Sequence, residues 1–307
     1  MSAPTSKDPT SGSHLNKWLD PVTNSTKKNN VLRAIILTKE TKNMKLGLLG
    51  PKGTFSDMAR EIYEKKVGTT FETYYFQSLN SVFSNYLDMD LLIVPIENTL
   101  DGHVVQCLDE MLDKKLYIID ELNVDVRFSF VSNSPTLEEV KKINVQFKAK
   151  GQCVNFLNTF SCPINITESN IESLNLIKGK EDEGAIIPHH VYSPNYNIAI
   201  EDVTDSKNNQ TKFFILSKNR QNKGNKCYFV MKTIYDDRKG LLKDILKIID
   251  QNGYNLGFIL SRPTKTQLGK YNFFAEIDNI GDISQLEKTF LEIEKEHLAK
   301  VEILGIY

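Results

Sequence analysis

Few features of this 307-residue sequence mark a specialised class of protein. Cysteine is scarce, with four residues, Cys107, Cys153, Cys162 and Cys227. None forms a C-x-x-C pair and their spacings match no zinc pattern, which excludes a disulfide scaffold and a structural zinc site. The expectation is reduced, buried thiols in a cytoplasmic chain, with Cys107 in the middle of a core helix. No apolar run approaches the roughly 20 residues that a membrane-spanning helix needs. Neither sign of charge dominates: 38 Lys and Arg face 39 Asp and Glu, for a net charge of −1. General nucleic-acid or membrane-surface binding, which needs a basic excess, is therefore not expected. The G-x-x-x-x-G-K-[ST] and G-x-G-x-x-G spacings are missing, so neither a Walker loop nor a dinucleotide fingerprint is present. His189-His190 suggests a metal at first sight. Adjacent residues do not share a helix face, and no carboxylate or Cys stands at ligand spacing, so no metal and no cofactor are expected.

The first stretch is almost bare of apolar residues: of residues 1–30, 22 are Ser, Thr, Asn, Lys, Pro or Asp. Such a segment cannot bury enough area to offset its ordering entropy, and the lone tryptophan, Trp18, falls inside it. Residues 1–43 are read as a disordered extension, and folded structure is expected from Met44.

From there strands and helices alternate. Residues 46–49 read as a buried strand closed by Gly50-Pro51-Lys52-Gly53. Phe55, Met58, Ala59, Ile62 and Tyr63 follow with helical periodicity, and Thr54 or Ser56 can cap that helix. Residues 91–96 form an unbroken apolar strand, the kind buried on both faces, ending at Pro95-Ile96-Glu97-Asn98. Further strands are expected over 74–76, 117–119, 126–132 and 184–188. Helices are expected over 82–87, 104–112, 137–143, 153–158 and 171–178. This rhythm predicts open α/β sheets with helices on both faces, enough for two small lobes over 44–217. A polar linker, 217–226, leads to a different pattern. There β, α, β, β, α and β segments follow one another over 226–307, a ferredoxin-like unit. In it residues 271–277 alternate, with Tyr271, Phe273, Ala275 and Ile277 on one side.

Three loops carry unusual polarity. Gly53-Thr54-Phe55-Ser56 offers backbone N–H groups and two hydroxyls at a helix start, which suits a carboxylate or phosphate and equally a plain cap. Glu97-Asn98-Thr99 sets a carboxylate, an amide and a hydroxyl at a strand end. Thr211-Lys212 sets a hydroxyl and a cation just before a strand expected over 213–216.

Together these runs resemble the prephenate dehydratase family. The resemblance rests on Leu48-Leu49-Gly50-Pro51-Lys52-Gly53-Thr54-Phe55-Ser56, on Val94-Pro95-Ile96-Glu97-Asn98-Thr99-Leu100-Asp101-Gly102 and on Thr211-Lys212-Phe213, in the family's order. The final unit resembles an ACT regulatory domain. It carries Gly240-Leu241-Leu242, Asn255-Leu256, Ser261-Arg262-Pro263 and Lys265-Thr266-Gln267-Leu268-Gly269. The resemblance implies a bilobed, periplasmic-binding-protein-like (type II) catalytic region of two α/β subdomains over 44–218, then the ACT domain over 226–307. It implies a carbon–oxygen lyase that converts prephenate to phenylpyruvate, CO₂ and water without a cofactor, in a homodimer or homotetramer. Thr211 is implied as the catalytic residue. Thr54, Phe55, Ser56, Glu97, Asn98, Thr99, Ser169, Asn170, Lys212 and Phe213 are implied as substrate-binding. Gly240, Leu241, Leu242, Asn255, Leu256, Ser261, Arg262 and Pro263 are implied as a site for L-phenylalanine as effector. Three stretches depart from the family pattern. Lys212 stands where Arg is usual, which keeps the charge and loses the bidentate fork. Ser169-Asn170-Ile171 replaces Ser-Thr-Ala, and Leu260 replaces the Glu that usually precedes Ser-Arg-Pro.

Overall fold

The structure, a computed structural model, describes residues 44–233, 238–264 and 270–307. The extension expected over 1–43 and the 265–269 part of the regulatory motif lie outside these residues.

The first lobe begins with β1 (Lys45–Leu49), α1 (Phe55–Val67), β2 (Glu72–Phe76) and α2 (Leu79–Ser84). It continues with β3 (Leu91–Asn98), β4 (Gly102–His103), α3 (Val105–Asp113) and β5 (Tyr117–Asp125). Local chemistry sets these bounds. Ala59, Tyr63 and Val67 give α1 its buried stripe, and Gly68, at φ 71°, closes it in the left-handed conformation that glycine adopts freely. The Ser78 hydroxyl caps α2 by accepting from the Ser81 N–H.

The chain then leaves for a second lobe. Its elements are β6 (Phe128–Ser132), β7 (Lys142–Gln146), α4 (Phe147–Gln152), α5 (Val154–Leu157), β8 (Ile164–Thr167), α6 (Asn170–Leu176), β9 (Glu183–Pro188) and β10 (Ile198–Ile200). Their sheet order is β10-β6-β9-β7-β8. The chain returns as β11 (Gln210–Ser217), which inserts antiparallel between β3 and β5 to give β2-β1-β3-β11-β5. Two sheets joined by two crossings are the bilobed plan that the resemblance implied.

Two expectations over this region are corrected. The helix expected over 137–143 is a short 3-10 turn, Leu137–Glu139, followed by β7. The apolar positions there lie three apart, but Ile143 and Val145 are β-branched and buried between parallel partners β8 and β9. The strand expected to stop at 96 runs on to Asn98, and its partner starts at Gln210. Pro95 does not end β3. It has no N–H for the ladder, and the register slips there, with Lys212 opposite Glu97 and Phe213 opposite Pro95.

The last unit is β12 (Lys226–Lys232), α7 (Leu241–Gln251), β13 (Leu256–Pro263), β14 (Tyr271–Asp278), α8 (Ile283–Lys295) and β15 (Lys300–Ile306), the expected βαββαβ order. Its antiparallel sheet runs β13-β14-β12-β15. Phe229, Met231, Ala275 and Ile277 bury one face under α7 and α8. The opposite face is covered too. Tyr228, Val230, Phe274 and Leu304 share a core with Val94, Leu108 and Phe214 of the first lobe. β14, read as one-sided from its alternation, is thus buried on both faces. At Gly305 of β15 the backbones come so close that a Cβ would lie 2.5 Å from the Ile118 carbonyl oxygen in β5.

Candidate active site

β3 and β11 place Asn98 opposite Thr211 in register, so their side chains leave the same face of the sheet. The Asn98 amide is fully engaged. Its Oδ1 accepts the backbone N–H groups of Leu100 (2.9 Å) and Asp101 (3.0 Å). Those fixed donors set the orientation of the amide. Its Nδ2 therefore points the other way, and its two hydrogens are shared among Thr211 Oγ1 (2.9 Å), Asn209 Oδ1 (2.8 Å) and the Gln210 carbonyl (3.1 Å). Because Thr211 Oγ1 accepts from Asn98, its own hydrogen is left for another acceptor.

The polarity continues into the second lobe. Asn209, only 1% exposed, donates through Nδ2 to Oε1 of Gln152 (2.8 Å) at the end of α4. One turn earlier on the same helix face, the Lys148 ammonium lies 3.0 Å from the Asp101 carboxylate. Helix α4 thus meets Asn209 with a buried amide and Asp101 with an exposed ion pair. Thr99 ties the strand ends together. Its hydroxyl donates to the Asn208 carbonyl (2.9 Å) and accepts from the Gln210 N–H (3.0 Å).

The Gly53–Ser56 loop is held from both lobes. In the first, Asp57 accepts from the Gly53 N–H (2.8 Å), Tyr75 Oη (2.6 Å) and Arg60 Nε (2.7 Å). Burial pushes the Asp57 carboxyl up, but the hydrogen bonds from Tyr75, Arg60 and Gly53 outweigh it and hold the group below its ordinary value. Thr54 turns its hydroxyl to the Leu49 carbonyl (3.4 Å) and Ser56 is buried. From the second lobe, Ile171 and Val191 press on Gly53, where a Cβ would meet Ile171 Cδ1 at 2.9 Å. The Phe55 ring crosses between lobes, 5.4 Å from the Phe128 ring and 5.6 Å from that of His190. Burial lowers the basicity of His190, partly offset by hydrogen bonding to the Gly53 backbone.

The structure therefore brings Thr54, Phe55 and Ser56 to the lobe junction and pairs Asn98 with Thr211 and Thr99 with 208–210. Other expected site residues point elsewhere. Phe213 is 2% exposed and packs in the first-lobe core with Leu46, Leu48 and Tyr63. Glu97 and Lys212, one residue along from Asn98 and Thr211, face the opposite side of the sheet. The Glu97 carboxylate lies 3.7 Å from His103 Nδ1, and Lys212 Nζ lies 3.8 Å from Glu276 of β14. Ser169 caps α6 by accepting from the Glu172 N–H, and Asn170 Oδ1 beside it is buried with no hydrogen-bond partner among the described residues. Gln152, Asn209 and Asp57 were not picked out as site residues from the sequence, and His190 was weighed only as a metal ligand. The Gln-Cys and Asn-x-Thr strings carry no periodic or charge signal, and only the fold brings them into contact.

In the last unit, Gly240 starts α7 at φ 88°, a conformation that a β-carbon would strain, and Leu241 is buried beneath it. Asn255 is exposed, and Leu242 and Leu256 are half-buried. β13 turns Ser261 and Pro263 outward. Arg262 turns inward, where its Nη2 meets Asp109 of α3 at 2.8 Å.

The sequence model of prephenate dehydratase matches residues 46–221, more than half of the chain, and that of the ACT domain matches residues 231–295. This chain belongs to the prephenate dehydratase family. Prephenate dehydratase of Methanocaldococcus jannaschii is 28% identical over 265 residues, covering 84% of this chain and 95% of that protein. The Bacillus subtilis prephenate dehydratase is 26% identical, covering 86% and 98%. Among solved structures, the Staphylococcus aureus prephenate dehydratase superposes with a TM-score of 0.73 at 27% identity, covering 86% of this chain and all of that one. The Arthrobacter aurescens prephenate dehydratase in complex with L-Phe gives a TM-score of 0.72 at 25% identity, covering 85% and 89%. The prephenate dehydratase and ACT units thus occur here in the order read from the sequence, on the bilobed α/β and βαββαβ frames described above.

Proposed function

We propose that this chain is a prephenate dehydratase of phenylalanine biosynthesis, regulated by L-phenylalanine through its ACT domain. The observation that carries the reading is the Asn98 Nδ2–H to Thr211 Oγ1 bond at 2.9 Å. It leaves Thr211 as the donor, which is what a departing hydroxyl needs. Prephenate carries a carboxylate and, across the ring, a hydroxyl. When the ring–carboxylate bond breaks, CO₂ leaves and the electron pair moves into the ring. The ring–hydroxyl bond then breaks, and the oxygen takes up a proton and departs as water. Aromatisation drives the step. A Thr hydroxyl is too weak an acid to supply a free proton, so Thr211 stabilises the departing oxygen by hydrogen bonding and relays a proton from solvent. Thr54 and Ser56, at the start of α1, bring hydroxyls and backbone N–H groups to a substrate carboxylate.

The test is turnover of prephenate by the purified full chain, with phenylpyruvate measured as product, for the wild type, Thr211→Ser and Thr211→Ala. The wild type is expected to turn over, the Ser variant to retain part of the rate, and the Ala variant to lose about 10²–10⁴-fold in kcat. Full activity in Thr211→Ala would refute the assignment. Arogenate, assayed in parallel, separates an arogenate dehydratase from the proposed enzyme.

A further inference from the structure

Alternation along β11 sends Thr211 to one side of the sheet and Lys212 to the other. On the Lys212 side sits the ACT sheet. Lys212 Nζ lies 3.9 Å from Glu121 of β5 and 3.8 Å from Glu276 of β14. Lys226 of β12 reaches the same two carboxylates, Glu121 at 2.8 Å and Glu276 at 3.5 Å, and also Asp278 at 3.2 Å. Tyr307 Oη, near the chain end, lies 3.1 Å from Glu276 and 3.3 Å from Glu121, so its one hydrogen is shared between the two carboxylates.

Three carboxylates, two ammonium groups and one phenol thus join the two units. Glu276 is only 4% exposed. Charges taken out of water to this degree are held by their partners, and a shift of one partner moves the others. The family pattern places a cation after the Thr, which suggested a grip on the substrate carboxylate. In this chain that cation is engaged by the regulatory sheet.

We propose that Lys212 is a positioning residue for Thr211, and that Glu276, held by Lys226 and Tyr307, is the group through which the ACT domain sets where Lys212 and the first residues of β11 lie. The inference rests on the function proposed above and names the route of its regulation. When L-phenylalanine binds the ACT domain, displacement of β14 moves Glu276. Lys212 follows its counter-charge, and the shift reaches the Thr211 hydroxyl through one peptide unit.

The experiment uses the full chain and the variants Glu276→Gln, Tyr307→Phe, Lys212→Gln and Lys212→Arg. Two quantities are read with and without L-phenylalanine: kcat and KM for prephenate, and amide hydrogen exchange over residues 210–217. Effectors of this kind change affinity or rate by about 5–150-fold. In Glu276→Gln that response is expected to fall below about twofold while basal turnover stays near wild type. The ligand-dependent change in exchange over 210–217 is expected to vanish as well. Tyr307→Phe, which removes one hydroxyl and tests the cluster should Glu276→Gln fail to fold, is expected to show a partial loss. Lys212→Gln is expected to lose the response and Lys212→Arg to keep it, which a purely structural role would not produce. Wild-type responses in Glu276→Gln and Tyr307→Phe would overturn the proposal. So would a wild-type chain whose turnover and exchange both ignore L-phenylalanine, and that result leaves the lyase reading standing. A chain without prephenate turnover that still shows ligand-dependent exchange, lost in Glu276→Gln, refutes the lyase reading and supports the coupling.

Discussion

Asn98→Asp is the most demanding test of the site, because it changes the direction of one amide and almost nothing in volume. In the wild type, Oδ1 accepts the Leu100 and Asp101 N–H groups, and those backbone donors do not move. An aspartate keeps that side of the arrangement. Its other oxygen then faces three former acceptors: Asn209 Oδ1, the Gln210 carbonyl and Thr211 Oγ1. The Asn209 and Gln152 amides can rotate together and offer N–H instead. The Gln210 carbonyl is backbone and cannot. The Thr211 hydroxyl can satisfy the new carboxylate only by donating its hydrogen to it, which removes that hydrogen from the substrate. One buried acceptor facing an anion costs about 1–3 kcal/mol of stability, readable by chemical denaturation. Loss of the donor costs kcat about 10²–10⁴-fold, the usual worth of a proton donor. Repulsion of the incoming dianion appears in KM, so the decisive quantity is kcat at saturating prephenate. If Asn98 acts through Thr211, the double variant with Thr211→Ala should be no slower than Thr211→Ala alone. An Asn98→Asp enzyme with wild-type kcat, or a double variant with multiplied losses, would refute the reasoning.

Three other outcomes follow from the same geometry. The depressed carboxyl of Asp57 contributes stability that is complete above its unfolded value of 3.8 and is lost as the pH falls through its lower folded value. Asp57→Asn should cost about 1.5–3 kcal/mol near neutral pH and flatten the acid limb of a plot of Tm against pH. His190 is held neutral by burial, so the unfolded chain binds its proton first. Stability is expected to decline as the pH falls below 6.5, and Tm of His190→Gln should lose that slope. Gly305→Ala drives a methyl group into the Ile118 carbonyl at 2.5 Å. A cost of about 1–3 kcal/mol is expected, together with a weaker response of prephenate turnover to L-phenylalanine; unchanged denaturation and regulation would show that the two sheets do not need this close approach.

Much of this arrangement was legible in the sequence, and the failures have a common cause. The glycine and proline turn after β1, the helical stripe of α1 and the βαββαβ order of the last unit are local signals, and they read correctly. The candidate site read less well because β3 was taken to end at 96 and β11 to start at 213. Residues beyond those points were treated as loop, where neighbours can converge on one ligand. In a strand they cannot. Once Glu97-Asn98 and Thr211-Lys212 are strand residues, period two sends Asn98 and Thr211 to one face and Glu97 and Lys212 to the other. Pro95 lies inside β3, where a bulge absorbs it. The two-sided burial of β14 had a visible sign, since Phe274 and Glu276 alternate with Phe273, Ala275 and Ile277. Glu276 on that second face has partners, Lys212, Lys226 and Tyr307, too distant in sequence for any window to join.

The late return of β11 has a consequence for how the protein is made. In the finished sheet β3 and β5 do not pair with each other; residues 210–217 fill the space between them. A ribosome that has released both strands has therefore produced two open edges with no mutual pairing. They must wait while the entire second lobe is synthesised, at about 5–20 residues per second. Such long-range closure is slow, and unpaired apolar edges invite association with other chains. The strand that carries Thr211 is also the one that seals the lobe. A nascent chain therefore cannot acquire the Asn98–Thr211 pair before its first sheet is complete, so that pair and the protection from aggregation arrive in the same step of folding.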